Sequence, residues 1–128
     1  MRVAKDQIEV KMQIPGAIIR QRTDFGDATG LGRISGEYFT LAAGVDTAPL
    51  FKGLDGDVCQ CPHWGIVLKG SIHIDYADGQ KETVRAGEVY HWPAGHTVRV
   101  DEDYEAIEFS PAGEMAEVID HLRTKMGA

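Results

Sequence analysis

The feature that most constrains the fold is a succession of short runs rich in β-branched and aromatic residues, each closed by Gly, Pro or Asp. QIEVKMQI, GEYFTLAAG, WGIVLKG, SIHIDYADG, KETVRAGEVYHW, TVRVDED and YEAIEFS all have this form. Such runs read as strands, and many short strands in one chain predict a sandwich or a barrel. Asp78-Gly79 predicts a two-residue hairpin, because both central positions of a type I′ turn need positive φ, so the strands on either side should pair antiparallel. Only the C-terminus has helical spacing. From Glu114 to Met126 the apolar residues Met115, Val118, Ile119, Leu122 and Met126 recur at that period, after the break Pro111-Ala112-Gly113. One amphipathic helix is expected there, outside the barrel or across a subunit contact. Residues 23–36, rich in Gly and Asp, predict a long loop over the barrel mouth or along the surface.

No repeat or linker divides the sequence, and 128 residues suit one domain with one core and one site. The expected division is N-terminal strands and loop over 1–34, a barrel over about 35–110 and a helix over about 114–126. A net charge of −7, with Lys and Arg scattered singly, argues against nucleic acid as a partner. No apolar run is long enough to span a bilayer, and MRVAKDQIEVKMQ alternates charge with hydrophobe where a signal peptide would be unbroken, so no membrane partner and a cytoplasmic location are expected. Cys59 and Cys61 are the only cysteines, and a disulfide between residues two apart on an extended chain is strained. Reduced thiols beside His63 point to metal ligation or redox chemistry, with simple apolar packing as the alternative.

The segment Asp57-Val58-Cys59-Gln60-Cys61-Pro62-His63-Trp64-Gly65-Ile66-Val67-Leu68-Lys69-Gly70 resembles the first motif of the cupins. In that motif two histidines one residue apart are followed by a Glu or His and, after six more residues, a Gly. His63 lies at the Glu or His position relative to Gly70, and Cys59 and Asp57 occupy the histidine places. The second motif is similar to Gly87, Pro93, Ala94 and Gly95, although the family's ligand histidine falls at Val98 here and His96 directly follows Gly95. The resemblance covers about residues 35–110. It implies a double-stranded β-helix, or jelly roll, with its site inside the barrel. Because cupins commonly associate and exposed strand edges invite pairing, a homodimer is expected as well.

Thiolate and imidazole donors favour zinc or iron among divalent transition metals over magnesium or calcium. Cys59, Cys61, His63 and His96 form a plausible S/N set, closed if all four bind and open to water or substrate if three do. Strand parity complicates this. Cys59, Cys61 and His63 share parity with Lys69, whereas Trp64, Ile66 and Leu68 form the apparent core face, so a kink between Pro62 and Gly65 is needed to turn His63 inward. Asp57 reads as a turn residue before a ligand, and His91 as an interface residue or a partner of the ligands. His73 and His121 read as surface, and Tyr38, Phe39, Trp64, Tyr90, Trp92 and Phe109 as core aromatics. The expected function is a small metal-binding cupin, an enzyme acting on a small organic molecule if the site is open. The alternatives are a non-catalytic metal- or ligand-sensing cupin and a metal-free barrel.

Overall fold

The computed structural model describes residues 1–28, 30 and 32–127. Among them run nine strands: β1 (Val10–Ile14), β2 (Ala17–Arg22), β3 (Ile34–Leu41), β4 (His63–Lys69), β5 (Ser71–Tyr76), β6 (Lys81–Arg85), β7 (Val89–Trp92), β8 (His96–Arg99) and β9 (Tyr104–Pro111). One helix, α1 (Ala112–Met126), follows β9 directly. The strands form a six-stranded sheet in the order β1-β2-β3-β9-β4-β7 and a three-stranded sheet in the order β6-β5-β8. All pairings are antiparallel. Apolar side chains such as Val67, Ile72, Ile74, Val100 and Ala106, each at most 2% exposed, fill the space between the layers as the core of a jelly-roll barrel.

The hairpin between β5 and β6 forms, but not by the expected turn. The Gly79 N–H donates to the Tyr76 carbonyl and the Tyr76 N–H to the Gln80 carbonyl. Gly79 has φ +90°, while among the described non-glycine residues only Asp57 has positive φ. With only one residue in the left-handed region, the loop is a three-residue turn closed by a glycine bulge. The helix begins two residues earlier than its periodicity indicates, with Pro111 as its N-cap and Gly127 as a left-handed C-cap. Met115, Val118, Ile119 and Leu122 are buried against Met12, Ile19, Phe51, Cys59 and Cys61, which places α1 against the barrel's own interior. Of the span 23–36 expected as a loop, residues 34–36 belong to β3, 29 and 31 lie outside the described residues, and Phe25 does not close the mouth. That ring packs on Phe109, on the outer face of the large sheet.

Across the inner face of the large sheet, register aligns Gln21, Glu37, Glu108, Gly65 and Tyr90 in one transverse row. Gly65 is dictated by what crosses it. A Cβ there would lie 2.4 Å from the Ile107 carbonyl oxygen and 2.6 Å from the Tyr90 hydroxyl. The missing side chain lets Tyr90 reach over β4 and donate a 2.8 Å hydrogen bond to Glu108 Oε1.

Candidate metal centre

Backbone pairing brings the two motif segments together. The Cys59 N–H donates to the His96 carbonyl at 2.8 Å and the His96 N–H to the Cys59 carbonyl at 3.3 Å, an isolated antiparallel bridge that extends the small sheet beyond β8. Two residues that exchange both hydrogen bonds project their side chains to the same face, here the interior. His63 comes from the opposite layer, where β4 pairs it with Trp92 on β7. Between Cys59 and His63 the chain crosses from the small sheet to the large one, and Pro62, which has no N–H to contribute to a ladder, sits in the crossing.

That crossing corrects the parity expectation. No kink is needed between Pro62 and Gly65, because β4 alternates regularly from its first residue with His63 and Val67 buried and Trp64 and Leu68 exposed. The apparent core face, Trp64, Ile66 and Leu68, is the outer face. The only irregularity in the pairing of β4 with β9 lies between Val67 and Lys69. Trp64 and Phe109 are likewise not core aromatics, being 46% and 38% exposed.

One donor atom from each of Cys59, His63 and His96 lies within 4.8 Å of the others, and all three residues are buried. Cys59 Sγ is 3.5 Å from His63 Nε2. His96 Nδ1 donates to the Pro93 carbonyl at 2.8 Å, which leaves Nε2 with the free lone pair of the neutral ring. His63 Nδ1 is 2.7 Å from Ser110 Oγ and 3.2 Å from Glu108 Oε2, so the carboxylate and hydroxyl orient the ring with Nε2 toward Cys59. Burial lowers both imidazoles, His63 well below the usual histidine value with His96 and His91 adding to the effect, and His96 against the opposing pull of Pro93. Both rings are neutral and ready to ligate at pH 7. Burial pushes the Cys59 thiol up to about 12, partly countered by its contact with the Cys61 carbonyl. Without a metal it is a neutral thiol beside His63 Nε2.

Other sequence candidates lie elsewhere. Cys61 is 1% exposed and outside the donor group, its Sγ turned to the Pro62 carbonyl at 3.4 Å and its side chain packed in the cluster beneath α1. Asp57 is an exposed turn residue whose Oδ1 accepts the Gly53 N–H at 3.0 Å. His91 stacks on Trp64 at 4.6 Å on the outer face, and its Nδ1 donates to the His63 carbonyl at 3.1 Å. Sequence reasoning missed Glu37 and Glu108, which with His63 form a second buried group whose donor atoms lie within 4.8 Å. Burial raises both carboxyls. Glu37 reaches about 7, with Ser110 and Ser35 pulling the other way without closing a hydrogen bond, and Glu108 lies well above the ordinary carboxylate value with the Glu37 charge adding.

A cavity of about 90 Å³ adjoins the centre, lined by Cys59, His63 and His96 and by apolar residues that include Ile19, Phe39 and Val98. It holds a few waters or a ligand of a few non-hydrogen atoms. Val98, at the family's usual ligand position, thus offers the cavity a hydrocarbon wall, and α1 contributes Met115, Val118 and Leu122. Among the described lining residues there is no Lys or Arg.

No protein-family model and no curated protein matches the chain. Solved structures do. Ectoine synthase from P. lautus superposes with a TM-score of 0.61 at 12% identity, covering 91% of this chain and 84% of that one. A putative ethanolamine utilization protein from Salmonella typhimurium gives 0.55 at 11% identity, covering 85% and 84%. Bacillus subtilis oxalate decarboxylase, described with Mn(II) centres, gives 0.58 at 13% identity, where the chain spans 28% of the longer protein. At these identities the likeness establishes the fold, which is that of the cupins.

Proposed function

We propose that this cupin barrel holds one divalent transition metal, zinc or iron, through Cys59, His63 and His96, and acts as an enzyme on a small organic molecule at the remaining coordination position. The observation that carries the reading is the convergence of three buried soft and borderline donors on the wall of a small cavity. Bound there, the ion would supply Lewis acidity toward an oxygen of the substrate. The protein's part is positional. Pro93 fixes the tautomer of His96, and Ser110 and Glu108 fix that of His63. Glu108 also lines the cavity, where its raised carboxyl is placed to give or take a proton. The lining, without Lys or Arg among the described residues, suits a substrate with an apolar body whose one polar group meets the ion.

Elemental analysis of protein purified without added metal tests the first half, with stoichiometric zinc or iron expected. Cobalt substitution tests the second. Small carboxylates, aldehydes and alcohols should perturb the visible spectrum at an open position, whereas a spectrum indifferent to all of them would leave a non-catalytic metal-binding or sensing barrel. No metal at all would leave a metal-free one.

The proposal extends to location and assembly. Free, buried cysteines fit a reducing compartment such as the cytoplasm. Among the described residues no helix is long and apolar enough to cross a membrane. A homodimer through the outer face of β4, β7 and β9 is supported by exposed Trp64, Val89 and Phe109 beside the free edge of β7.

A further inference from the structure

Glu37 and Glu108 stand directly opposite each other on β3 and β9, 0% and 3% exposed. Like charges so paired destabilise a sheet, and two buried carboxylates without a counter-charge cost far more. A shared proton is one resolution, but the hydrogen bond it needs is not formed, since neither oxygen of Glu37 meets a partner among the described residues. The unsatisfied oxygens sit in a group with Glu108 and His63 whose donor atoms are all within 4.8 Å of one another. An ion with bonds of about 2.0–2.2 Å to oxygen and nitrogen holds neighbouring donors roughly 3.0–3.6 Å apart. His63 Nδ1 and Glu108 Oε2 already stand 3.2 Å apart, so a shift of the Glu37 carboxyl toward them closes such a site.

We infer that Glu37, Glu108 and the Nδ1 side of His63 form a second cation position, harder than the thiolate centre and used in place of it. His63 is the hinge of the choice. Its Nε2 faces Cys59 and its Nδ1 faces Glu108. A neutral imidazole has one lone pair, so it ligates on one side at a time. Occupancy of the S/N/N position keeps the proton on Nδ1, where Ser110 Oγ accepts it at 2.7 Å beside Glu108; occupancy of the O/O/N position displaces Ser110 and moves that proton to Nε2, beside the Cys59 sulfur. Thiolate-seeking ions such as zinc take the first position, and oxygen-seeking ions such as manganese the second. The inference goes beyond the proposed function and shares His63 and Glu108 with it.

The test uses the full chain with zinc and with manganese separately, reading manganese by the loss of its free-ion electron paramagnetic signal and zinc by competition with a chromophoric chelator. Glu37→Gln should weaken manganese binding on the order of tenfold or more and leave zinc within about twofold. Cys59→Ser should do the reverse. An equimolar amount of zinc should expel manganese from the wild-type protein. Failure of the wild type to bind manganese, unchanged manganese affinity in Glu37→Gln, parallel loss of both ions, or both ions bound together would each overturn the inference. Should Glu37→Gln fail to fold, Cys59→Ser carries the test alone, since an unchanged manganese affinity beside a weakened zinc affinity requires a second donor set. Zinc binding that survives any of these failures leaves the thiolate centre standing, whereas a protein that binds neither ion loses both readings.

Discussion

The Cys59 thiol must lose its proton before it can hold an ion, and burial pushes that proton's pKa up to about 12. Both imidazoles are already neutral, being lowered by burial. Zinc affinity should therefore rise about tenfold per pH unit between pH 6.5 and 8.5, one proton being displaced for each ion bound. A chelator competition giving the same affinity across that range would remove Cys59 from the ligand set. Glu37 produces a pH dependence of the opposite sense in the metal-free protein. Its folded value of about 7 lies above the ordinary 4.5, so between those values the folded state keeps a proton that the unfolded state has lost. Stability then falls as pH rises through that window and stays lower above it. Glu37→Gln should stabilise the apoprotein by up to about 3 kcal/mol at pH 8 and hardly at all at pH 4, as measured by urea unfolding. Cys59, His63 and His96 were legible because motif spacing survives without structure. The glutamates were not. In YEAIEFS, Ile107 and Phe109 have the parity a sequence reader gives to the core, yet Phe109 is exposed and Glu108, between them, is buried.

At the scale of the strand and the helix, two contacts carry predictions. Gly65→Ala drives a methyl group to within 2.4 Å of the Ile107 carbonyl and into the Tyr90 hydroxyl, so β4 and β9 must part or Tyr90 must leave Glu108. A loss of about 2–4 kcal/mol is expected in chemical denaturation, since the clash is with backbone that cannot rotate away. A stability within 0.5 kcal/mol of wild type, roughly the scatter of surface substitutions, would contradict the crossing of Tyr90 over Gly65. On α1, Met115 is 3% exposed and forms part of the cavity wall. Met115→Ala should cost about 2–5 kcal/mol and enlarge the cavity, and it should speed removal of bound metal by a chelator in stopped-flow measurements. The helix was readable because four of its five periodic apolar residues are buried. Its start and the Asp78-Gly79 turn type were less so. Pro111 ends β9 and caps α1 with no intervening break, and one left-handed glycine suffices where the dipeptide signal asks for two left-handed residues.

Taken whole, the molecule carries an apolar outer face as well as an apolar core. Trp64, Val89 and Phe109 are exposed, with Ile66 on β4 among them and, beside them, the edge of β7 that has no strand partner among the described residues. This is why alternation in β4 misled: a strand greasy on both sides gives no clue to which side is inward. If a second copy covers that face, Val89→Glu should shift the mass in light scattering from two chains to one without altering metal content. A wild-type monomer at micromolar concentration would remove the interface. The sheet crossing has a further consequence for assembly of the fold itself. Cys59 and His63 lie four residues apart but on facing layers, while His96 arrives from a distant strand. A denatured chain can already chelate through the nearby pair, so tight binding will raise the melting temperature by less than the affinity alone implies. The same early chelate would pin the turn between the two layers before the distant histidine docks, making the ion a nucleus around which the barrel closes.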